Sequence, residues 1–270
     1  MDRTKRRPRS KLCLLLVGAL TCVSLAQAQG TSQTAVGAQG LFNPLSFPIQ
    51  LQGALMALGD RLQKPGKERQ TFTGTLTNSG QNYAVRVTLE LPNKVRIDGA
   101  WGTTRSVGFD GSKNWASGGS ISDSDEDLLE TLLEDSPEGM LFAVRRNAGL
   151  RAIATFARFD DGSTPNYKGP LVDILQVTGP TESRDAKTTR VKHYFFDSTT
   201  RLLAEVDYFV KRADGSTAAV RVQRSNWTTV NGEKVPGTVT RIENGQVALS
   251  LSTSSQSFAA AGNDGTFTGP

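Results

Sequence analysis

From about residue 71 onward, apolar and polar side chains change places at nearly every step. That period of two constrains the fold more than any other feature of the chain. Val85, Val87, Leu89 and Leu91 alternate with Arg86, Thr88 and Glu90. Val206, Tyr208 and Val210 alternate with Asp207, Phe209 and Lys211, and Val247, Leu249 and Leu251 with Ala248, Ser250 and Ser252. Phe72, Gly74 and Leu76 share one face of a segment whose other face holds Thr71, Thr73, Thr75 and Thr77. Strands with one apolar and one polar face belong to an antiparallel sheet buried on one side and wet on the other. The connections agree. Asp110-Gly111, Asp214-Gly215, Asn231-Gly232 and Asn244-Gly245 lie between such runs, and these dipeptides supply the positive φ of tight hairpins. Asn78-Ser79-Gly80 and Leu91-Pro92-Asn93 read as further turns. The pattern predicts roughly a dozen strands in one long meander.

Helical spacing interrupts this pattern. Ile49 to Gln63 places Leu51, Leu55, Leu58 and Leu62 on one side with Met56 beside them; Gly53 and Gly59 weaken it and Lys64-Pro65-Gly66 ends it. Ser124 and Asp127 read as a capping-box-like start for a stripe of Leu128, Leu129, Leu132 and Leu133. Ser136-Pro137, a serine N-cap with proline in the first turn, restarts a helix that carries Met140, Leu141 and Val144 and ends near Asn147 to Gly149. One-sided strands must bury their apolar faces, few helices are available to cover them, and so wide a sheet curls. The expected fold is therefore mainly β with a few helices (α+β). It is a strongly curved antiparallel sheet, an unclosed half-barrel, with helices covering the concave face over an apolar hollow.

The N-terminus predicts where the chain works. Arg3, Lys5, Arg6, Arg7, Arg9 and Lys11 precede an apolar run from Leu12 to Leu20, and Ala26-Gln27-Ala28 supplies the small residues of a cleavage site. This is the layout of a secretory signal peptide, with cleavage expected after Ala28 and a periplasmic product. Arg6-Arg7 is followed by Pro8 and Arg9, which departs from a twin-arginine signal. Cys22 offers an alternative, a membrane-anchored lipoprotein, but Ala19-Leu20-Thr21 before it makes a poor lipidation site. The segment holds both cysteines, six of the 31 Lys+Arg and one of the 26 Asp+Glu. The remaining chain thus has near-zero net charge, which removes the electrostatic case for nucleic acid or an anionic membrane surface. It also has no disulfide to rely on. No later apolar run is long enough for a transmembrane helix. The expected organisation is a signal peptide over 1–28, a flexible lead-in over 29–48 and a half-barrel domain over 49–258. Within that domain residues 123–147 form a helical lid, and a disordered tail follows over 259–270.

Local motifs then point to a family. Phe72-Thr73-Gly74-Thr75-Leu76, Leu91-Pro92-Asn93-Lys94-Val95-Arg96, and Phe109-Asp110-Gly111 with Trp115 occur in that order. Phe196-Asp197 with Leu202-Leu203, and Asn231-Gly232 with Val235-Pro236, follow. Together they resemble the outer-membrane lipoprotein carrier (LolA/LolB-like) superfamily over most of Gln70 to Phe258. The resemblance implies a non-enzymatic envelope protein, with no cofactor, that holds a lipid or the acyl chain of a lipoprotein beneath a helical lid. An envelope sensor or protein-interaction module on the same scaffold, with an envelope protein as partner, is the alternative. The residues expected to form the binding hollow are Phe72, Leu76, Val85, Leu89, Trp101, Trp115, Leu129, Leu132, Leu133, Met140 and Arg224. The carrier proper is similar but uses an early-strand arginine to hold its lid. Here the first two strands carry none on their apolar faces, and Arg224, on a face with Val220 and Val222, is the candidate for a lid-bonding or headgroup role. A snorkelling arginine is the other reading.

Catalytic signals are sparse. His193, the single histidine, shares a strand face with Val191 and Phe195 and has no nucleophile or orienting carboxylate nearby in sequence. Asp123, Asp125, Asp127 and Glu134 fit positions of a calcium loop, but Leu128 replaces its glycine and the acids suit a helix start. Gly118-Gly119 has no lysine at phosphate-binding spacing. Arg145-Arg146 and Lys211-Arg212 read as solvated ends of elements. An enzyme would have to use paired carboxylates such as Asp110 and Asp197, both at turns.

Overall fold

The computed structural model of the chain describes residues 49–59, 68–90, 93–99, 105–146, 148–158, 171–180, 189–212 and 214–269. The expected signal peptide and lead-in, Cys22 and Trp101 lie outside the described residues. Helix α1 (Ile49–Leu58) precedes strands β1 (Glu68–Asn78), β2 (Gln81–Glu90), β3 (Lys94–Gly99), β4 (Arg105–Phe109) and β5 (Asn114–Ala116). Helices α2 (Asp123–Leu133) and α3 (Pro137–Arg145) follow. Then come β6 (Gly149–Arg158), β7 (Leu171–Pro180), β8 (Thr189–Asp197), β9 (Leu203–Lys211) and β10 (Thr217–Ser225). A hairpin of β11 (Thr228–Val230) and β12 (Glu233–Val235) leads to β13 (Thr238–Glu243) and β14 (Gln246–Ala260).

Twelve of these strands form one open sheet in the order β5-β4-β3-β2-β1-β14-β13-β10-β9-β8-β7-β6, and β11–β12 pair separately. The sheet is antiparallel, curved and unclosed, with helices on its concave face. The expected single meander is in fact two. Strands β1 to β5 run out to one edge, α2 and α3 carry the chain across to the opposite edge, and β6 to β14 return until β14 lies against β1. Because the helices connect opposite edges, they must traverse a face of the sheet. Strand β14 joins the halves by pairing with β13 over Gln246–Ser252 and with β1 from Leu249 to Ala260. The dipeptide turns occur as read: Asn231 and Asn244 take φ of 51° and 48°, followed by Gly232 and Gly245 at 84° and 81°, the two consecutive positive values of a type I′ hairpin.

The concave face carries two apolar clusters. Phe72, Leu76, Val85, Val87, Val95, Ile97, Val107 and Phe109 of the first strands pack with Leu249 and Leu251 against Leu128, Leu129, Leu132 and Leu133 of α2. Leu175, Tyr194, Phe196, Val206, Tyr208, Val210, Val220 and Val222 of the later strands pack against α1, through Leu51, Leu55 and Leu58, and against Met140 and Leu141 of α3. Each such leucine contributes about 1.5–3 kcal/mol by leaving water. Among the described residues no helix is long and apolar enough to cross a membrane.

The expected disordered tail is a correction. Strand β14 continues to Ala260, and the segment after it lies on the reverse face of β1–β5. Arg69 Nη1 donates to Asp264 Oδ2 at 2.7 Å, Asp264 Oδ1 accepts from Thr266 N, and Trp115 Nε1 donates to the Phe267 carbonyl at 2.8 Å. Phe267 is buried, with the Arg69 guanidinium and Lys94 ammonium 5.2 and 5.8 Å from its ring centre. A polar segment without period gives no sequence signal, yet one aromatic anchor between cations orders it.

Candidate functional site

The insert of α2 and α3 is built by two serine caps. Ser122, not Ser124, is the N-cap of α2; its Oγ accepts from Asp125 N at 3.3 Å, and Ser122 N donates back to Asp125 Oδ2 at 2.8 Å. The capping box thus lies two residues earlier than the spacing suggested, and Arg105 Nη2 on β4 adds a 2.6 Å bond to Asp125 Oδ2. Ser136 caps α3 by accepting from Gly139 N at 2.9 Å and ties it to α2 by donating to the Leu133 carbonyl at 2.6 Å. At Gly139 a Cβ would sit 2.0 Å from Leu133 O, so the sharp joint between the helices requires glycine.

Helix α2 is buried on two sides. The leucines occupy one, as expected. The other carries acids, and it is also buried: Glu130, Thr131 and Asp135 are 0% exposed. Glu130 Oε1 accepts from Arg190 and, at 3.0 Å, from Lys192 on β8. Lys192 Nζ also reaches Asp135 Oδ1 at 2.6 Å and Glu134 Oε2 at 3.4 Å. Asp127 accepts from Arg212 at 3.1 Å and from Arg241 Nη2 on β13 at 3.0 Å. Tyr208 on β9 stands at the centre. Its hydroxyl donates to Asp135 Oδ2 at 2.9 Å and accepts from Arg241 Nη1 at 2.8 Å. Its ring lies 4.4 Å from the Lys192 ammonium and 5.6 and 5.8 Å from the Arg190 and Arg241 guanidinium carbons.

Arg224 on β10 completes the seat. Its Nε donates to the Asp135 carbonyl at 3.0 Å and its Nη2 to the Thr131 carbonyl at 2.8 Å. These groups end α2, where the carbonyls lack helical partners and a cation is favoured. Arg224 is buried, so it does not snorkel; it bonds the end of α2. Burial alone would lower the Lys192 ammonium, but Asp135 and Glu130 outweigh it and hold the group well above the ordinary lysine range. Burial, reinforced by Asp135 and Glu130, pushes the Tyr208 phenol well up. The network is therefore charged on its cationic side and keeps the phenol as a neutral donor.

Beneath the joint of α2 and α3 lies a cavity of about 50 Å³, room for only a few water molecules. Phe72, Leu89, Leu132, Leu133 and Arg224 line it, five of the residues expected to form the hollow. Leu76, Val85, Leu129 and Met140 are buried in the two clusters instead. Trp115 is a correction. It pairs with Gly108, whose neighbours Val107 and Phe109 point into the concave core, so the indole lies on the reverse face under Phe267. A Cβ at Gly108 would meet that indole at 2.5 Å, and glycine is what seats it there. Gln70, Lys94, Trp227, Pro236, Val239, Leu251, Thr253 and Gln256 also line the cavity and were not anticipated. Neither were Arg190, Lys192, Tyr208 and Arg241.

The other candidates resolve plainly. The buried face of β8 holds Arg190, Lys192, Tyr194 and Phe196, so His193 lies on the outer face with Val191 and Phe195. An orienting carboxylate does exist there, contrary to expectation: His193 Nδ1 lies 3.1 Å from Asp207 Oδ1 across the β8–β9 pair. Asp110 and Asp197 each cap their own turn, accepting from Ser112 N and Lys113 N and from Thr199 N and Thr200 N. The strands flanking those two turns lie in different halves of the sheet. Among the described residues no group of acids, histidines and cysteines forms a metal site.

No family model and no curated protein matches the chain. Among solved structures, the fold is similar to a LolA superfamily protein from Nitrosomonas europaea, with a TM-score of 0.53 at 11% identity, covering 81% of this chain and 97% of that one. A putative outer membrane lipoprotein-sorting protein domain from Vibrio parahaemolyticus gives 0.47 at 12%, covering 84% and 97%. A DUF1329 family protein from Desulfovibrio piger gives 0.48 at 10%, covering 84% and 98%. At 11% identity the likeness to the first of these is one of fold alone, and that fold agrees with the half-barrel read from the strands.

Proposed function

We propose that the protein is a non-enzymatic carrier of the bacterial envelope, periplasmic, that takes up an acyl chain or a lipidated polypeptide between its sheet and the α2–α3 insert. One observation carries this reading. The insert lies across an open sheet, presents Leu132 and Leu133 to a small cavity, and is held there by leucine packing, hydrogen bonds and ion pairs to strands distant in the chain. The cavity is too small for an acyl chain, so this is the closed state, in which the leucines of α2 occupy the space a chain would take. Binding then requires the insert to lift. The kink between two short capped helices lets the insert move as a unit, at the expense of its leucine contacts and ion pairs.

The test is Leu132→Asp in the mature chain, read by displacement of a fluorescent hydrophobic probe and by native mass spectrometry of protein isolated with its lipids. Because the aspartate unseats a leucine from the space the chain would take, the expected result is a rise in affinity of about tenfold or more, roughly 1.4 kcal/mol, with a cooperative melting transition retained. Parent-like binding by the variant, or no binding by the parent, removes the reading.

A further inference from the structure

Charge is segregated across the interface between insert and sheet. Among the described residues, each ion pair joining α2 and its following turn to a strand or strand end has the acid on the insert and the base on the sheet. Asp125 meets Arg105, Asp127 meets Arg212 and Arg241, Glu130 meets Arg190, Lys192 and Arg241, and Glu134 and Asp135 meet Lys192. Glu243, which bonds Arg212 and Arg241, is the one acid that the sheet contributes to this group. The cations are anchored in strands with their own core and would stay behind when the insert lifts. Their counterions would leave with it. A purely hydrocarbon occupant would fill the apolar space but leave a buried cationic floor with Glu243 in place of the acidic contacts that α2 and its turn supply to Arg190, Lys192 and Arg241, which is costly.

That floor is continuous with the apolar cavity. Arg224 bonds the end of α2 and also lines the cavity with Phe72, Val239 and Leu251. An occupant that replaces both sides of α2 therefore needs a chain where the leucines were and negative charge where Glu130 and Asp135 were. We propose that the open site takes an anionic amphiphile, its head received by Arg190, Lys192, Arg224 and Arg241, and that the acidic side of α2 is an internal stand-in for that head. This rests on the carrier reading and narrows its ligand to anionic lipids.

The experiment is titration calorimetry of the mature chain with dodecyl phosphate, dodecylphosphocholine, dodecyl maltoside and inorganic phosphate. The expected order places dodecyl phosphate about tenfold or more tighter than the zwitterionic and neutral probes, with inorganic phosphate failing to displace it at equal concentration. Equal affinity for the three amphiphiles overturns the inference and leaves the carrier reading standing. No binding of any amphiphile overturns the carrier reading itself. Inorganic phosphate binding as tightly as dodecyl phosphate also overturns the inference, since the site would then be a simple anion pocket. A second variant guards against misfolding. Glu130→Gln with Arg190→Gln removes one charge of each sign and leaves neither partner of that pair alone. With a cooperative melt retained, it should reduce the ratio of dodecyl phosphate to dodecyl maltoside affinity about threefold or more; an unchanged ratio counts against the floor.

Discussion

The two sides of helix α2 do different work. Toward β1–β4 and β14, Leu128, Leu129, Leu132 and Leu133 meet a wall of valines, leucines and phenylalanines. Such contact is strong but non-directional, so it fixes how much surface is buried and leaves sliding cheap. Toward β8, β9 and β13, Asp127, Glu130 and, just past the helix end, Asp135 meet Arg190, Lys192, Arg241 and Tyr208 through bonds that depend on angle and spacing. A shift by one residue would leave several buried charges without partners. The leucines hold the insert down, and the ionic side decides where it sits. An acyl chain can imitate the first and not the second.

The largest effect should come from breaking the ionic side. Arg241 is fully buried and bonds Asp127, Tyr208 and Glu243. Arg241→Met should cost about 3–5 kcal/mol in urea unfolding, because removing one member strands the others in a low-dielectric site. Replacing Asp127 by asparagine in the same chain should return part of that loss. If the single variant costs less than a surface substitution, the ionic side is not what positions the insert.

The apolar side gives a smaller and more graded response. Leu129 is 0% exposed within its cluster, whereas Leu132 borders the cavity. Leu129→Ala should cost about 3 kcal/mol, within the usual range of about 2–5 for a buried leucine, and Leu132→Ala less, since a site already beside a void loses fewer contacts. Equal costs for the two would mean that the cavity does not soften this part of the interface.

The same contrast explains what was legible in the sequence. Alternation found the strands, Asn-Gly and Asp-Gly found the hairpins, and leucine spacing found α2, because each is a local signal. It also found a minority of the cavity wall, through Phe72, Leu89, Leu132 and Leu133. The ionic side was invisible for a physical reason. Its partners lie far apart in the chain, Glu130 from Arg190 and Asp127 from Arg241, and a period-two reading counts every arginine and lysine as wet. In β8 that rule inverts the strand: Val191 and Phe195 look like the core face, yet Val191 is 43% exposed while Lys192 is buried. Trp115 failed in the same way, since an aromatic in a short edge strand gives no parity to read, and its reverse-face position depends on Gly108 and on the distant Phe267. The order of strands in the sheet, and so the path of the insert across it, is likewise set by long-range pairing.

A last prediction sets two buried glutamates against each other. Glu130 is surrounded by cations, and Lys192 beside it titrates above the ordinary lysine range, so the cationic side of the network does not change between pH 5 and 8. Glu205 lies on the reverse face of β9 with thinner support. Gln223 Nε2 donates to its Oε2 at 3.1 Å, and Arg221 Nε lies 2.9 Å from Oε1 as an ion pair whose angle makes no hydrogen bond. Burial pushes its carboxyl up to about 7 from 4.5, against the pull of Gln223 and Arg221. A carboxyl that holds its proton more tightly when folded favours the fold most below pH 4.5, and that contribution is lost as pH rises through 7. Glu205→Gln keeps the neutral shape at every pH. The variant should therefore match the parent near pH 4.5 and exceed it at pH 8 by about 1–3 kcal/mol in urea unfolding. If the difference between them does not depend on pH, Glu205 is ionised in the fold and the reverse face supports a charge as well as the seat of α2 does.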